Sequence, residues 1–249
     1  EKEIKKFTGA KNVICVLNGT IGIQICLLMS NIKRDDEVLI PSLTFVSPAN
    51  AIVNHGAIPH FVSINESDLG IDCERLDKYL KKNSYKKQNH YFNKKTKRAI
   101  KGIITVDVFG HPCNFDNIKK ISKKYNLEII QDCCDALGSF YKSKHVGINN
   151  KYSVFSFNGN KIITTGAGGF IATNNSKISK KIRHLVSTAK KKHDFLFIHD
   201  EIGYNYRMPA INASLGCSQI KKVKNYIKKK IKLFFKYKKL INEFSFLDI

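Results

Sequence analysis

The chain has no tryptophan, only five prolines, and fewer than half as many acidic residues as basic ones, 20 Asp and Glu against 43 Lys and Arg. With 15 glycines in 249 residues and 43% apolar content, collagen-like, mucin-like and broadly disordered readings are excluded. No apolar run approaches the roughly 20 residues that a spanning helix needs, so a membrane helix is excluded as well. The amino end, Glu1-Lys2-Glu3-Ile4-Lys5-Lys6, is polar from its first residue and carries no signal-peptide pattern, which makes the cytoplasm the expected location. Seven cysteines, at 15, 26, 73, 113, 133, 134 and 217, include no Cys-x-x-Cys and no Cys/His pair at zinc-ligand spacing. Neither a metal site nor a disulfide scaffold is expected, and reduced thiols fit a reducing compartment.

The shortage of acid leaves a net charge of +23, nearly all of it from lysine runs such as Lys94-Lys95-Thr96-Lys97-Arg98, Lys190-Lys191-Lys192 and the 221–239 stretch. Interleaved with Asn, Tyr and Ile, these runs read as solvated faces rather than a polyanion site, and nucleic acid is not an expected partner. A phosphorylated substrate would still benefit from the field.

What the chain does have is alternation. Apolar strand-like runs at 13–17, 37–40, 58–62, 100–106, 127–130, 152–157 and 169–173 are separated by helical patterns at 20–29, 48–53, 72–82, 115–125 and 176–188, with a long helix from about 208 onward. Asp72 is the expected N-cap of its helix. This order predicts an α/β layered domain with a mainly parallel central sheet flanked by helices. The 83–98 segment has no period and reads as a long surface loop.

Four clusters carry possible chemistry. Asn18-Gly19-Thr20 stands where a strand hands over to a helix; it is either a phosphate-binding turn on free helix N–H groups or a tight turn capped by Thr20. Gln131-Asp132-Cys133-Cys134-Asp135 follows a strand, where ligands of open α/β sheets gather. A carboxylate there is either a cap or a partly buried group that needs a cation. Lys161 sits between the polar turn Phe155 to Asn160 and the Gly-rich run Gly166 to Gly169, as a desolvated nucleophile for carbonyls or as a plain solvated charge. Gly203-Tyr204-Asn205-Tyr206-Arg207-Met208-Pro209 is polar and aromatic where a plain helix start would suffice.

In this order and spacing, with Pro41-Ser42-Leu43-Thr44-Phe45 and Phe109-Gly110-His111-Pro112 added, these motifs resemble the DegT/StrS-type nucleotide-sugar aminotransferases over nearly the whole chain. The family uses pyridoxal 5'-phosphate on the aspartate-aminotransferase-like fold. The resemblance implies that Lys161 forms the Schiff base with the cofactor aldehyde and later shuttles a proton, and that Asp132 holds the pyridinium nitrogen protonated. It also places Phe45 on the ring face, the N–H groups of Gly19, Thr20 and Ile21 with the Ser156 hydroxyl on the phosphate, and Asp135 near the 3' oxygen. Asn205 is implied to reach the phosphate across a homodimer with a shared active site. The implied reaction moves an amino group, from glutamate, to C4 of a 4-keto-6-deoxy nucleotide sugar in amino-sugar and surface-polysaccharide biosynthesis. The stretches 185–190 and 197–207 look most like the legionaminic-acid-pathway members, which implies an N-acetylated acceptor.

The family commonly reads Glu-Asp-Ala-Ala where this chain has Gln131-Asp132-Cys133-Cys134, Gln or Glu where it has Asp135, and His where it has Asp107. The resemblance further implies that residues 1–249 are the cofactor-binding large domain, with 207–249 a long helix leading toward a small C-terminal domain that is missing here. Two alternatives stand beside it. A cofactor-dependent sugar dehydratase uses His in place of the Schiff-base lysine, and Lys161 speaks against it. A basic polyanion-binding or catalytically silent protein on the same fold has only the charge in its favour.

Overall fold

A computed structural model describes residues 1–244. The chain runs α1 (Lys2–Thr8), β1 (Asn12–Val16), α2 (Gly19–Met29), β2 (Glu37–Pro41), α3 (Val46–Asn54), β3 (Ile58–Val62) and α4 (Cys73–Asn83). It continues through β4 (Ser84–Lys87), β5 (His90–Asn93), β6 (Ala99–Val106), a 3-10 turn at Val108–Gly110, α5 (Phe115–Tyr125) and β7 (Glu128–Asp132). The remainder is β8 (Phe140–Tyr141), β9 (Lys144–His145), β10 (Ser153–Ser156), β11 (Gly169–Thr173), α6 (Ser176–Leu185), α7 (Ala210–Ile220) and α8 (Val223–Ile241). No helix of the described residues is long and apolar enough to cross a membrane.

The main sheet is ordered β1-β11-β10-β7-β6-β2-β3. β3, β2, β6, β7 and β10 pair in parallel, and β11 runs against both β10 and β1, so β11 alone is inverted on this path. The expected mainly parallel sheet is therefore present, with a mixed edge. β2, β10 and β11 are buried throughout, as strands covered by helices on both faces are. Alternation along each strand splits the core in two. Ile14, Val38, Ile40, Ile104, Ile130, Val154 and Ile171 face the side packed by α2, α3 and α6. Val13, Leu39, Ile103, Phe155 and Phe170 face the other. Phe155 and Phe170 stack at 4.4 Å between ring centres, each burying enough apolar surface to contribute about 1.5–3 kcal/mol.

Local chemistry sets the helix starts that matter for function. Asn18 caps α2 by accepting from the Ile21 N–H at 2.9 Å, so the capping group of this turn is Asn18 and not Thr20. Asp72 caps α4 as expected, accepting from Glu74 and Arg75.

Two expectations are corrected. The 83–98 segment is a β-hairpin: β4 pairs β5 antiparallel across a two-residue connection, and β5 adds to the start of β6. Gln88 takes the positive φ of 55° that such a tight connection demands, and Tyr85 stacks on Phe92. The single long helix expected over 207–249 is two helices, since the chain turns at Lys221-Lys222 between α7 and α8; Ser245 to Ile249 lie outside the described residues. Strand β7 also runs two residues past the expected end, so Gln131 and Asp132 belong to the strand itself.

Gly169 shows how closely the backbone is packed where β11 passes the start of α2. A Cβ there would meet the Phe155 carbonyl oxygen at 2.5 Å and the Asn18 and Gly19 backbone at 3.0 Å. Gly169→Ala should cost about 2 kcal/mol or more in urea unfolding, because main chain cannot yield as a side chain does. Gly159→Ala, whose Cβ meets nothing within 4 Å, should stay within about 0.5 kcal/mol. Equal stabilities for the two variants would contradict this packing.

Candidate active site

Parallel strands end on one side of the sheet, and there a cleft of about 960 Å³ opens. The segments after β2 and β6 supply Phe45 and Asp107, the last residues of β7 and β10 are Asp132 and Ser156, the first turn of α2 supplies Gly19 and Thr20, and a loop after β10 supplies Lys161.

Asp132, the last residue of β7, is 5% exposed. Its Oδ1 accepts from the Cys134 N–H at 3.0 Å, and among the described residues it makes no ion pair. Burial pushes its pKa up, against the Cys134 thiol and N–H and the Lys161 charge, which pull it down. The expected buried carboxylate is present; a cation in contact with it is not.

Lys161 lies in a loop that is pinned rather than free. Phe157 N–H donates to the Gly168 carbonyl at 2.8 Å, Thr165 N–H to the Phe157 carbonyl at 3.0 Å, and Lys161 N–H closes a turn on Asn158 at 3.1 Å. Its side chain is 14% exposed and its Nζ lies 2.7 Å from Asp135 Oδ1. Unlike the lysine runs, this amine is largely withdrawn from water.

At the start of α2, the N–H groups of Gly19 and Thr20 have no partner among the described residues and point from a helix N-terminus that lines the cleft. Ser156 adjoins Gly19, and its hydroxyl accepts from the Asn158 N–H at 3.2 Å. Ile21 is a correction to the expected phosphate set: its N–H is taken by Asn18, and its side chain packs into the core rather than lining the cleft. Phe45 projects into the cleft with 70% of its surface exposed. Asn205 does not line this cleft; it stands exposed on the segment that docks along β1 through Tyr206 and Arg207.

The residues present fit pyridoxal phosphate: a withdrawn amine, a buried carboxylate without a contacting cation, and two unpaired N–H groups beside a hydroxyl share one cleft. A ring with a cationic nitrogen at Asp132 would supply the charge that this carboxylate lacks.

Further lining residues are Phe109, of the Phe109-Gly110-His111-Pro112 motif, and Ser47, Ile227, Lys230 and Ile231, which no motif marked. Ser47 hydrogen-bonds Thr20 at 2.5 Å, and Lys230 is one unremarked lysine of a Lys-rich helix. Phe109 holds φ 52° and ψ 19°, a left-handed conformation that costs an L-residue about 1–2 kcal/mol.

Asp107 and Gln131, both departures from the family pattern, touch one another. Gln131 Nε2 donates to Asp107 Oδ2 at 2.8 Å, its Oε1 accepts from Asn150, and Cys113 N–H donates to Asp107 Oδ1 at 3.2 Å. A glutamate at 131 would set two carboxylates face to face, so the glutamine follows from the aspartate. Burial pushes the Asp107 pKa up to about 6. Between about pH 4 and 6 the folded chain therefore keeps a proton that the unfolded chain has released, and stability falls as pH rises through that window. Relative to Asp107→Asn, the parent should lose about 2 kcal/mol between pH 4 and 7 in urea unfolding. A difference that is independent of pH would contradict the buried state of Asp107.

The profile of the DegT/DnrJ/EryC1/StrS aminotransferase family matches residues 1–247. A GDP-perosamine synthase of Escherichia coli O157:H7 is 37% identical over 227 residues, 91% of this chain and 58% of that protein. A UDP-4-amino-4,6-dideoxy-N-acetyl-beta-L-altrosamine transaminase of Campylobacter jejuni is 36% identical over 234 residues, 92% of this chain and 57% of that protein. The chain thus spans under three fifths of the length of these relatives. The crystal structure of a DegT/DnrJ/EryC1/StrS aminotransferase from Brucella abortus superposes with a TM-score of 0.86 over 98% of this chain and 62% of that one, at 23% identity, a likeness of fold. With Gly19, Thr20, Phe45, Asp132, Ser156 and Lys161 on one cleft and the profile matched over residues 1–247, the chain belongs to the DegT/DnrJ/EryC1/StrS aminotransferase family.

Proposed function

We propose that the chain is the cofactor-binding large domain of a pyridoxal-phosphate-dependent aminotransferase. It would transfer an amino group from glutamate to C4 of a 4-keto-6-deoxy nucleotide sugar in the cytoplasm. The observation that carries this reading is the joint presence of Lys161 and Asp132 in one cleft beside the free N–H groups of α2. The names of relatives support the acceptor class: one is a GDP-perosamine synthase, and the name of another, a transaminase, contains a UDP-linked 4-amino-4,6-dideoxy-N-acetyl sugar. The N-acetylated acceptor of the legionaminic-acid type belongs to the same proposal.

Pyridoxal phosphate, when bound, supplies a carbonyl for amine exchange and a ring that accepts electrons. Lys161 would hold it at the aldehyde carbon, with Asp135 steering Nζ from 2.7 Å. Once free, the same Nζ is the group placed to carry a proton to and from the reacting carbon. Asp132 would hold a proton on the ring nitrogen, and binding that cation would lower the carboxyl pKa that burial now raises. Gly19 and Thr20 N–H groups and the Ser156 hydroxyl would bind the phosphate, and Phe45 would cover the ring face. Asn205, exposed and outside its own cleft, would serve the phosphate of a second copy. The apolar residues Phe195, Phe197 and Ile202, each at least 80% exposed on the same stretch, support such a homodimer. A lysine at 161 disfavours the dehydratase reading, which needs histidine there.

Incubated with pyridoxal phosphate, the parent should turn yellow, and borohydride should fix the cofactor mass on Lys161, read by peptide mass spectrometry. Lys161→Ala should take up no fixed mass. Asp132→Asn should retain cofactor but, in the whole protein, lose turnover on the order of 100-fold or more. A parent that stays colourless with cofactor would sink the proposal.

A further inference from the structure

We infer that Phe109 recognises the hexose ring of the acceptor, an inference that rests on the proposed function. Eleven non-glycine residues among those described adopt positive φ, and Phe109 is the one of them that lines the cleft. A bulky side chain in this region is a conformational outlier, and the surroundings must hold it there.

They do so from both sides. Gly110 N–H donates to the Asp107 carbonyl at 3.1 Å and His111 N–H to the Val108 carbonyl at 2.9 Å, while Asp107 N–H is fixed to the Asp132 carbonyl at 3.0 Å. Ser139 Oγ donates to the Gly110 carbonyl at 2.7 Å, and a Cβ on Gly110 would meet the Asp135 carbonyl at 3.0 Å. The turn is thus locked onto the segment that starts with Asp135, the partner of Lys161 Nζ.

Folding gains little from the ring so placed, because 77% of the Phe109 surface is exposed. Phe45, also exposed in the cleft, sits at an ordinary φ of −67° as the first residue before α3, so its backbone needs no such restraint. An apolar ring held in a strained turn and left uncovered is accounted for by what enters the cleft. Beside the amine that exchanges with C4, the entering group is the pyranose, and the C–H face of a pyranose packs on an aromatic face. The nucleoside and its phosphates then lie farther from Phe109.

The test uses calorimetry with GDP-mannose and UDP-N-acetylglucosamine, against GDP and UDP alone, together with thermal melting. Phe109→Gly removes the ring and relieves the backbone at once. It should weaken binding of the sugar nucleotide roughly ten-fold, leave the bare diphosphate unchanged, and melt no lower than the parent. Phe109→Tyr should restore sugar binding. Cofactor uptake, read by absorbance, should be the same in all three proteins. Unchanged sugar binding in Phe109→Gly, an equal loss for the bare diphosphate, or a melting point several degrees below the parent each overturns the role of Phe109. A parent that takes up cofactor but binds none of the four nucleotides overturns the acceptor side of the proposed function and this inference with it.

Discussion

A carboxylate taken out of water without a cation in contact is costly, and Asp132 is such a group. The rest of the site makes sense around that cost. The carboxylate stands at the end of a central strand, held by the Cys134 N–H, with its open side toward the cleft. Across the same cleft Lys161 is turned inward and engaged by Asp135 rather than by Asp132. The two charges are kept apart, near enough for the lysine to act on the carboxyl and too far to neutralise it. A ring between them with a basic nitrogen at one end and a carbonyl carbon at the other would satisfy both, which is the chemical content of the family to which the chain belongs.

The architecture delivers these groups through backbone geometry more than through side-chain contacts. Strands of common direction bring their carboxyl ends to one edge. Gly169 lets β11 pass within contact distance of Asn18 and Gly19, and Gly19 lets the helix start pass within contact distance of Cys134 and Ser156. Asn18 then uses one N–H of the first turn and leaves two for an anion. Among the residues that line the cleft, Phe109 is the non-glycine residue at positive φ, while the buried Asp107–Gln131–Asn150 chain is linked by its own side-chain hydrogen bonds.

Much of this was legible before folding. The period of each segment marked most helices and strands within a few residues, and the ordered motifs marked Lys161, Asp132, Gly19, Thr20, Ser156 and Phe45, which the fold brings to one cleft. What escaped has physical causes. The Ser84–Asn93 hairpin was hidden because its outer strand is rich in lysine and its connection, Gln88-Asn89, lacks glycine. The break between α7 and α8 carries no proline or glycine to mark it. Ile21 looked like a phosphate donor by position, yet a side-chain cap three residues earlier takes its N–H, and capping partners are settled only by geometry. Phe109 stood in a motif that marked the family, but its left-handed backbone did not show, since a positive φ is a property of the folded turn. Asp107 and Gln131 each looked like an isolated departure from pattern, yet the fold brings them into one hydrogen bond, from Gln131 near the end of β7 to Asp107 just past β6.

The most direct measurement is a crystal structure of the chain grown with pyridoxal phosphate. The account predicts one ring in the cleft with its aldehyde carbon bonded to Lys161 Nζ, its nitrogen about 3 Å from an Asp132 oxygen, and its phosphate on the Gly19 and Thr20 N–H groups. A ring bound elsewhere, or one whose nitrogen faces away from Asp132, would contradict it.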